Sequence, residues 1–121
     1  AGKALDLMES GPVRDYDVVV RGSHDLYDLV YSDIVVIAAG RIREPGMTRE
    51  DILEDNLKIV DSFVREIEKF APNAIIIVLS EPVDALTYYV LKKTGFPTHR
   101  VMGVAGVLDA TRASRIIAEK L

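Results

Sequence analysis

Four short runs of the chain are crowded with valine and isoleucine: residues 16–20, 33–38, 74–79 and 100–104. Three of them are apolar at nearly every position. A strand with one face in water alternates apolar and polar residues, because successive side chains point to opposite faces. Unbroken apolar runs of this length instead predict strands buried on both faces, as in a parallel sheet covered by helices. Helical patterns separate the runs. The clearest spans residues 48–70, where Ile52, Asn56, Ile59, Val60, Phe63, Val64 and Ile67 fall on one stripe. Thr48 with Asp51 three residues on predicts its N-terminus, and Pro72 lies just past its end. A second helix is expected over residues 84–94, stopped by Gly95 with Pro97 beyond. Residues 1–8 and 107–121 also read as helical, and residues 26–30 as one or two turns after Ser23. The expected order is α-β-α-β-α-β-α-β-α with short joints, an open α/β architecture.

Composition removes several classes of function. At 121 residues the chain has the size of one domain and can bury a core. Its formal net charge of −4 offers no basic footprint for nucleic acid. Without cysteine there is no disulfide framework, no thiolate metal site and no thiol nucleophile, and no metal is expected. That fits a reducing compartment. The longest apolar runs are far too short to span a bilayer, and no cationic-then-apolar leader is visible, so we expect no membrane partner and a cytoplasmic location.

In open α/β sheets, ligands bind outside the carboxyl ends of the strands. The segments there are residues 39–49, containing Gly40, Arg41, Arg43 and Arg49; residues 79–84, containing Leu79, Ser80 and Glu81; and residues 103–112, containing Asp109 and Arg112. Each arginine taken singly reads as a solvated surface charge. Several arginines converging on one crevice would suit a dianion, since the guanidinium fork donates two parallel hydrogen bonds and keeps its charge.

The string Ala38-Ala39-Gly40, continued by Arg43-Glu44-Pro45-Gly46-Met47-Thr48-Arg49-Glu50-Asp51, resembles the mobile-loop signature of lactate and malate dehydrogenases. Asn73-Ala74-Ile75-Ile76-Ile77-Val78 and Glu81-Pro82-Val83-Asp84-Ala85-Leu86-Thr87-Tyr88 are similar to the same family. So are Gly95-Phe96-Pro97, Arg100-Val101 and Gly106-Val107-Leu108-Asp109-Ala110, all in register, and the opening Gly2-Lys3-Ala4-Leu5-Asp6-Leu7. The resemblance covers essentially the whole chain. It implies part of a Rossmann-type doubly wound parallel sheet: strands 3 to 6 of the family order, with 1 and 2 absent. Residues 1–121 then form a single, incomplete dinucleotide-binding domain, running into the first helix of the substrate domain at about residue 107.

By the same resemblance, the implied activity is hydride transfer between malate or oxaloacetate and NAD. Arg112 holds the C1 carboxylate of the substrate, and Arg49 polarises the reacting oxygen. Arg43 pairs with a second carboxylate, where a glutamine is typical of lactate enzymes. Asp109 orients the catalytic histidine, or, read from its position alone, caps the last helix. Gly40, Asn56, Leu79, Ser80 and Glu81 contact cofactor; Asn56 also reads as a satisfied core amide, and Gly40 and Ser80 as parts of plain strand ends. Homodimers or homotetramers are implied.

Three features depart from the family pattern. No G-x-G-x-x-G follows a strand. The family's catalytic histidine falls beyond residue 121, and neither His24 nor His99 stands where a base belongs. Glu81 replaces an asparagine, and a carboxylate there repels an anionic substrate unless it is protonated or turned towards an arginine. The run at residues 16–20 would also lack its sheet neighbour in the family order. An internal piece of a malate dehydrogenase is therefore the leading expectation. A lactate or other 2-hydroxy-acid dehydrogenase and a non-catalytic truncated or redesigned nucleotide-fold scaffold are the alternatives.

Overall fold

The computed structural model describes residues 2–120; Ala1 and Leu121, the outer ends of the two expected flanking helices, lie outside the described residues. Helices α1 (Gly2–Glu9) and α2 (Gly11–Arg14) lead into a 3-10 turn, Leu26–Leu29, and then β1 (Ile34–Ile37). Next come α3 (Arg49–Phe70), β2 (Ile75–Val78), α4 (Val83–Thr94), a 3-10 turn at Thr98–Arg100, β3 (Val101–Gly103) and α5 (Gly106–Ala118). The three strands form one parallel sheet in the order β1-β2-β3, with Ile34 opposite Ile75 and Ile76 opposite Val101. This is the expected α/β class.

Helix α3 starts where its capping signal requires. The Thr48 hydroxyl accepts from the Asp51 N–H at 3.1 Å, and the Asp51 carboxylate accepts from the Thr48 N–H at 2.9 Å. Two of the N–H groups that a helix start leaves unpaired are thereby satisfied. The buried side of α3, Ile52, Asn56, Val60, Val64 and Ile67, follows the expected stripe; Ile59 and Phe63 stand at its half-buried margins. Helix α4 ends on Gly95 in the left-handed conformation, with φ of 62°. A residue with a Cβ pays a steric penalty there, which explains the glycine.

One face of the sheet carries the core. Val35, Ile37, Ile76, Val78 and Val101 pack against Val60, Val64 and Ile67 of α3 and against Leu86 and Val90 of α4. The opposite face is largely open: Ile34 and Val36 are 56% and 52% exposed, Met102 is exposed, and Ile75 and Ile77 are half-buried. The expectation of burial on both faces is thus corrected for β1, because the α3–α4 pair lies on a single side. The fourth expected strand is also corrected. Residues 16–20 form no strand, Val18 and Val19 are exposed, and the Tyr16 hydroxyl is tied back to Ser10 and to the Leu7 carbonyl. A β-prone run becomes a strand only beside a backbone partner, and none lies alongside among the described residues. Helix α5 buries none of its residues against this core.

Candidate functional site

The carboxyl ends of β1 and β2 open onto a cleft of about 660 Å³, the position expected for a ligand in this class of sheet. Its wall comprises the segment after β1 (Gly40, Arg41, Ile42, Arg43), the start of α3 (Arg49, Ile52, Asn56), the segment after β2 (Leu79, Ser80, Glu81, Pro82), and Ala105 and Asp109 at the start of α5. Leu79 and Ile42 contribute exposed apolar surface, 42% and 86% accessible. The Glu81–Pro82 peptide bond is cis.

Two buried polar side chains hold the post-strand segments together. The Ser80 hydroxyl donates to the Ala39 carbonyl at 2.6 Å, with the Ile37 carbonyl further off at 3.3 Å. Asn56, 1% exposed, does more. Its Oδ1 accepts from the Arg41 N–H at 2.6 Å, and its Nδ2 donates to the Glu81 carbonyl at 2.6 Å and the Arg41 carbonyl at 3.3 Å. Both amide protons of Asn56 are engaged by backbone. The close approach at Gly40 is to this same amide: a Cβ there would lie 3.2 Å from both Oδ1 and Nδ2 of Asn56.

The charged residues fall into two groups. Arg41 is committed within the protein, its guanidinium donating to Asp55 at 2.9 Å and Glu44 at 3.4 Å. The Asp55 hydrogen bond, then Glu44, holds it still further above its ordinary, already basic, value. Arg43 uses its Nε on the Met47 carbonyl at 3.0 Å and leaves the ends of its fork to solvent. Arg49 is exposed and forms no ion pair among the described residues. Glu81 is likewise exposed on the cleft wall and has no ion pair with either arginine among the described residues. A dianion entering here meets Arg43 and Arg49 as available donors and Glu81 as an opposing charge.

The structure brings Gly40, Arg43, Arg49, Asn56, Leu79, Ser80, Glu81 and Asp109 to this cleft. Arg112 does not line it. One turn along α5, its Nη1 lies 3.5 Å from Asp109, with both side chains exposed. Asp109 is not the helix cap, since Ala105 holds that position and no side chain caps the helix; Asp109 sits instead in the first turn. His24 and His99 are exposed and outside the cleft wall. Ile42 and Asp84 line the cleft without having been given a role from the sequence, and so does Arg41, which its position after a strand had marked only as one of several arginines. Among the described residues no group of His, Asp and Glu could hold a metal ion. No helix there is long and apolar enough to cross a membrane.

The chain is 49% identical over 120 residues to the malate dehydrogenase of Methanosarcina acetivorans, covering 99% of the chain and 39% of that protein. The chain thus spans about two fifths of the length of this relative. The structure of the malate dehydrogenase from Aeropyrum pernix superposes with a TM-score of 0.90 at 42% identity, covering 99% of this chain and 39% of that one. That of Archaeoglobus fulgidus malate dehydrogenase in complex with NADH superposes with a TM-score of 0.89 at 33% identity, covering 98% and 40%. The sheet is therefore part of a Rossmann-type fold. Residues 1–103 match the model of the lactate/malate dehydrogenase NAD binding domain. The chain belongs to the lactate/malate dehydrogenase family, in its NAD-binding domain.

Proposed function

We propose that this chain is the central part of an NAD-dependent malate dehydrogenase, interconverting malate and oxaloacetate in the cleft at the carboxyl edge of the sheet. The observation that carries the reading is that Arg43 and Arg49, both with donors free for a ligand, open onto one cleft together with Asp109. The wall suits a dinucleotide's ring: Leu79 and Ile42 offer accessible apolar surface beside the polar Ser80 and Gly40. NAD, when bound, supplies the acceptor for the hydride that leaves the substrate carbon.

The residues of the chain take the following parts. Arg43 pairs with the carboxylate that malate has and lactate lacks. Arg49 places positive charge against the substrate oxygen as that oxygen changes from hydroxyl to carbonyl. Arg112, one turn of α5 beyond the cleft wall, grips the remaining carboxylate when α5 carries it to the cleft, and for that it exchanges its 3.5 Å pairing with Asp109. Asp109, released from that pairing, orients the histidine that accepts the hydroxyl proton. Leu79, Ser80 and Gly40 lie along the cofactor, and Asn56 holds their segments. Helix α5 opens the substrate domain, an assignment supported by its complete lack of burial against the sheet. Glu81 weakens the grip on a dicarboxylate, because it adds negative charge to the same wall.

The test is spectroscopic turnover of oxaloacetate and of pyruvate with NADH by the intact protein. Oxaloacetate is expected to be reduced faster than pyruvate. A protein that binds NADH but reduces pyruvate preferentially would transfer the reading to lactate, and one that binds no NADH would end it.

A further inference from the structure

We infer that Asn56 is a positioning residue: its buried amide clasps the two cleft-forming segments, and so sets the arginines of one against the wall contributed by the other. The inference deepens the reading of the cleft as a 2-hydroxy-acid site and rests on it for the kinetic part of its test.

Three observations carry it. First, Asn56 is fully buried, 1% exposed, on the sheet-facing stripe of α3. Second, all its partners are backbone groups in segments remote along the chain: the N–H and C=O of Arg41, 15 positions away, and the C=O of Glu81, 25 positions away. Those segments have no ladder of their own beyond the strand ends, so their relative placement rests on side chains such as Asn56 and Ser80. Third, the fit is tight from the other side, because a Cβ on Gly40 would stand 3.2 Å from either end of the amide. The clasp therefore fixes Arg41 at the root of the loop that carries Arg43 and leads into α3 at Arg49, and Glu81 at the root of the segment leading into α4. An asparagine is needed because the site demands an acceptor for one N–H and donors for two carbonyls on one planar group. Aspartate supplies only the acceptor, and leucine neither.

Asn56→Asp and Asn56→Leu in the intact protein, with Gly40→Ala pressing on an unaltered amide, provide the test. Three quantities are read: amide hydrogen exchange over residues 39–48, NADH affinity, and the separate KM and kcat for oxaloacetate. Exchange at the Arg41 amide is expected to rise on the order of ten-fold or more in Asn56→Leu, and less in Asn56→Asp, which keeps its acceptor. The KM for oxaloacetate should rise in all three variants, and in the two Asn56 variants NADH affinity should stay within about two-fold of the parent, since the damage lies in how the arginines are placed; Gly40→Ala is read by exchange and KM alone, because Gly40 itself lies along the proposed cofactor path. Should Asn56→Leu fail to fold, Gly40→Ala and Asn56→Asp still carry the comparison. Unchanged exchange in the folded variants would overturn the inference. So would a ten-fold loss of NADH affinity with exchange unaltered, which would make Asn56 a direct cofactor contact. If the parent protein turns over no 2-hydroxy acid, the reading of the cleft fails, while the exchange result still decides the clasp.

Discussion

Gly103 closes β3, with its α-hydrogens facing α4. A Cβ built there would lie 2.5 Å from Thr87 Oγ1 and 2.6 Å from Val83 Cγ1. Favourable contact between such atoms begins nearer 3.5 Å, so Gly103→Ala must open roughly 1 Å of space. Neither neighbour can simply swing aside. Val83 is buried in the first turn of α4, and Thr87 is fixed by its hydroxyl donating to the Val83 carbonyl at 2.7 Å. The methyl has to lift the start of α4 off the sheet, an overpacking that costs about 1–3 kcal/mol. For a domain of this size that corresponds to a fall in Tm of roughly 4–12 °C. Thermal unfolding followed by circular dichroism measures it, with Gly106→Ala as the matched control. Nothing lies within 4 Å of a Cβ at Gly106, the first residue of α5, so that variant should stay within about 0.5 kcal/mol of the parent. Equal Tm values for the two variants would refute the steric argument, and with it the account of how α4 seats against β3.

Three further outcomes are expected. Asp51 is held below the ordinary carboxylate range first by the Thr48 backbone N–H and then by the Thr48 side chain, so its contribution is present above the unfolded carboxylate value and lost as pH falls through the folded one. The destabilisation by Asp51→Ala should accordingly shrink between neutral pH and about pH 3 in urea unfolding; a gap constant with pH would count against the capping box. At the α3–α4 contact, Asp61 accepts from Tyr89 at 2.5 Å and pairs with Arg65 at 2.6 Å and Lys93 at 3.1 Å. The Tyr89 hydroxyl is the largest cause of its lowered pKa, so Tyr89→Phe should move the Asp61 carboxyl up towards its ordinary value in an NMR titration, and no movement would be the contrary result. Finally, Glu81→Asn should raise kcat/KM for malate by removing a negative charge from the cleft wall; unchanged malate kinetics would show that Glu81 lies clear of the substrate.

How far the fold was legible follows from where each signal resides. The Val and Ile runs at residues 33–38, 74–79 and 100–104 contain the three strands, and the Thr48–Asp51 pair fixes the start of α3, because both signals are local. The run at residues 16–20 has the same local composition and forms no strand, because pairing depends on a neighbour that composition does not supply. Likewise the sequence cannot say that α3 and α4 share one side, which leaves Ile34 and Val36 accessible. At the site, position after the strand ends located Arg43, Arg49, Ser80 and Glu81 on the cleft. The helix stripe marked Asn56 as buried, yet its partners 15 and 25 positions away had no sequence signature. Nor did the Arg41 pairing with Asp55, which separates a committed arginine from the two that remain available. Arg112 shares the face of α5 that carries Asp109 but stands about 4.5 Å further along the helix axis, and the cleft lining on α5 ends at Asp109.

In the proposed function, Arg43 is the residue that reads the second carboxylate of the substrate. The direct measurement is the ratio of kcat/KM for oxaloacetate to that for pyruvate, with NADH, in the intact protein before and after Arg43→Gln. Removing a charge that pairs with a substrate carboxylate should lower the ratio by a factor on the order of 100, with NADH binding retained. A ratio that stays the same in Arg43→Gln would contradict the assignment of the dicarboxylate to this cleft.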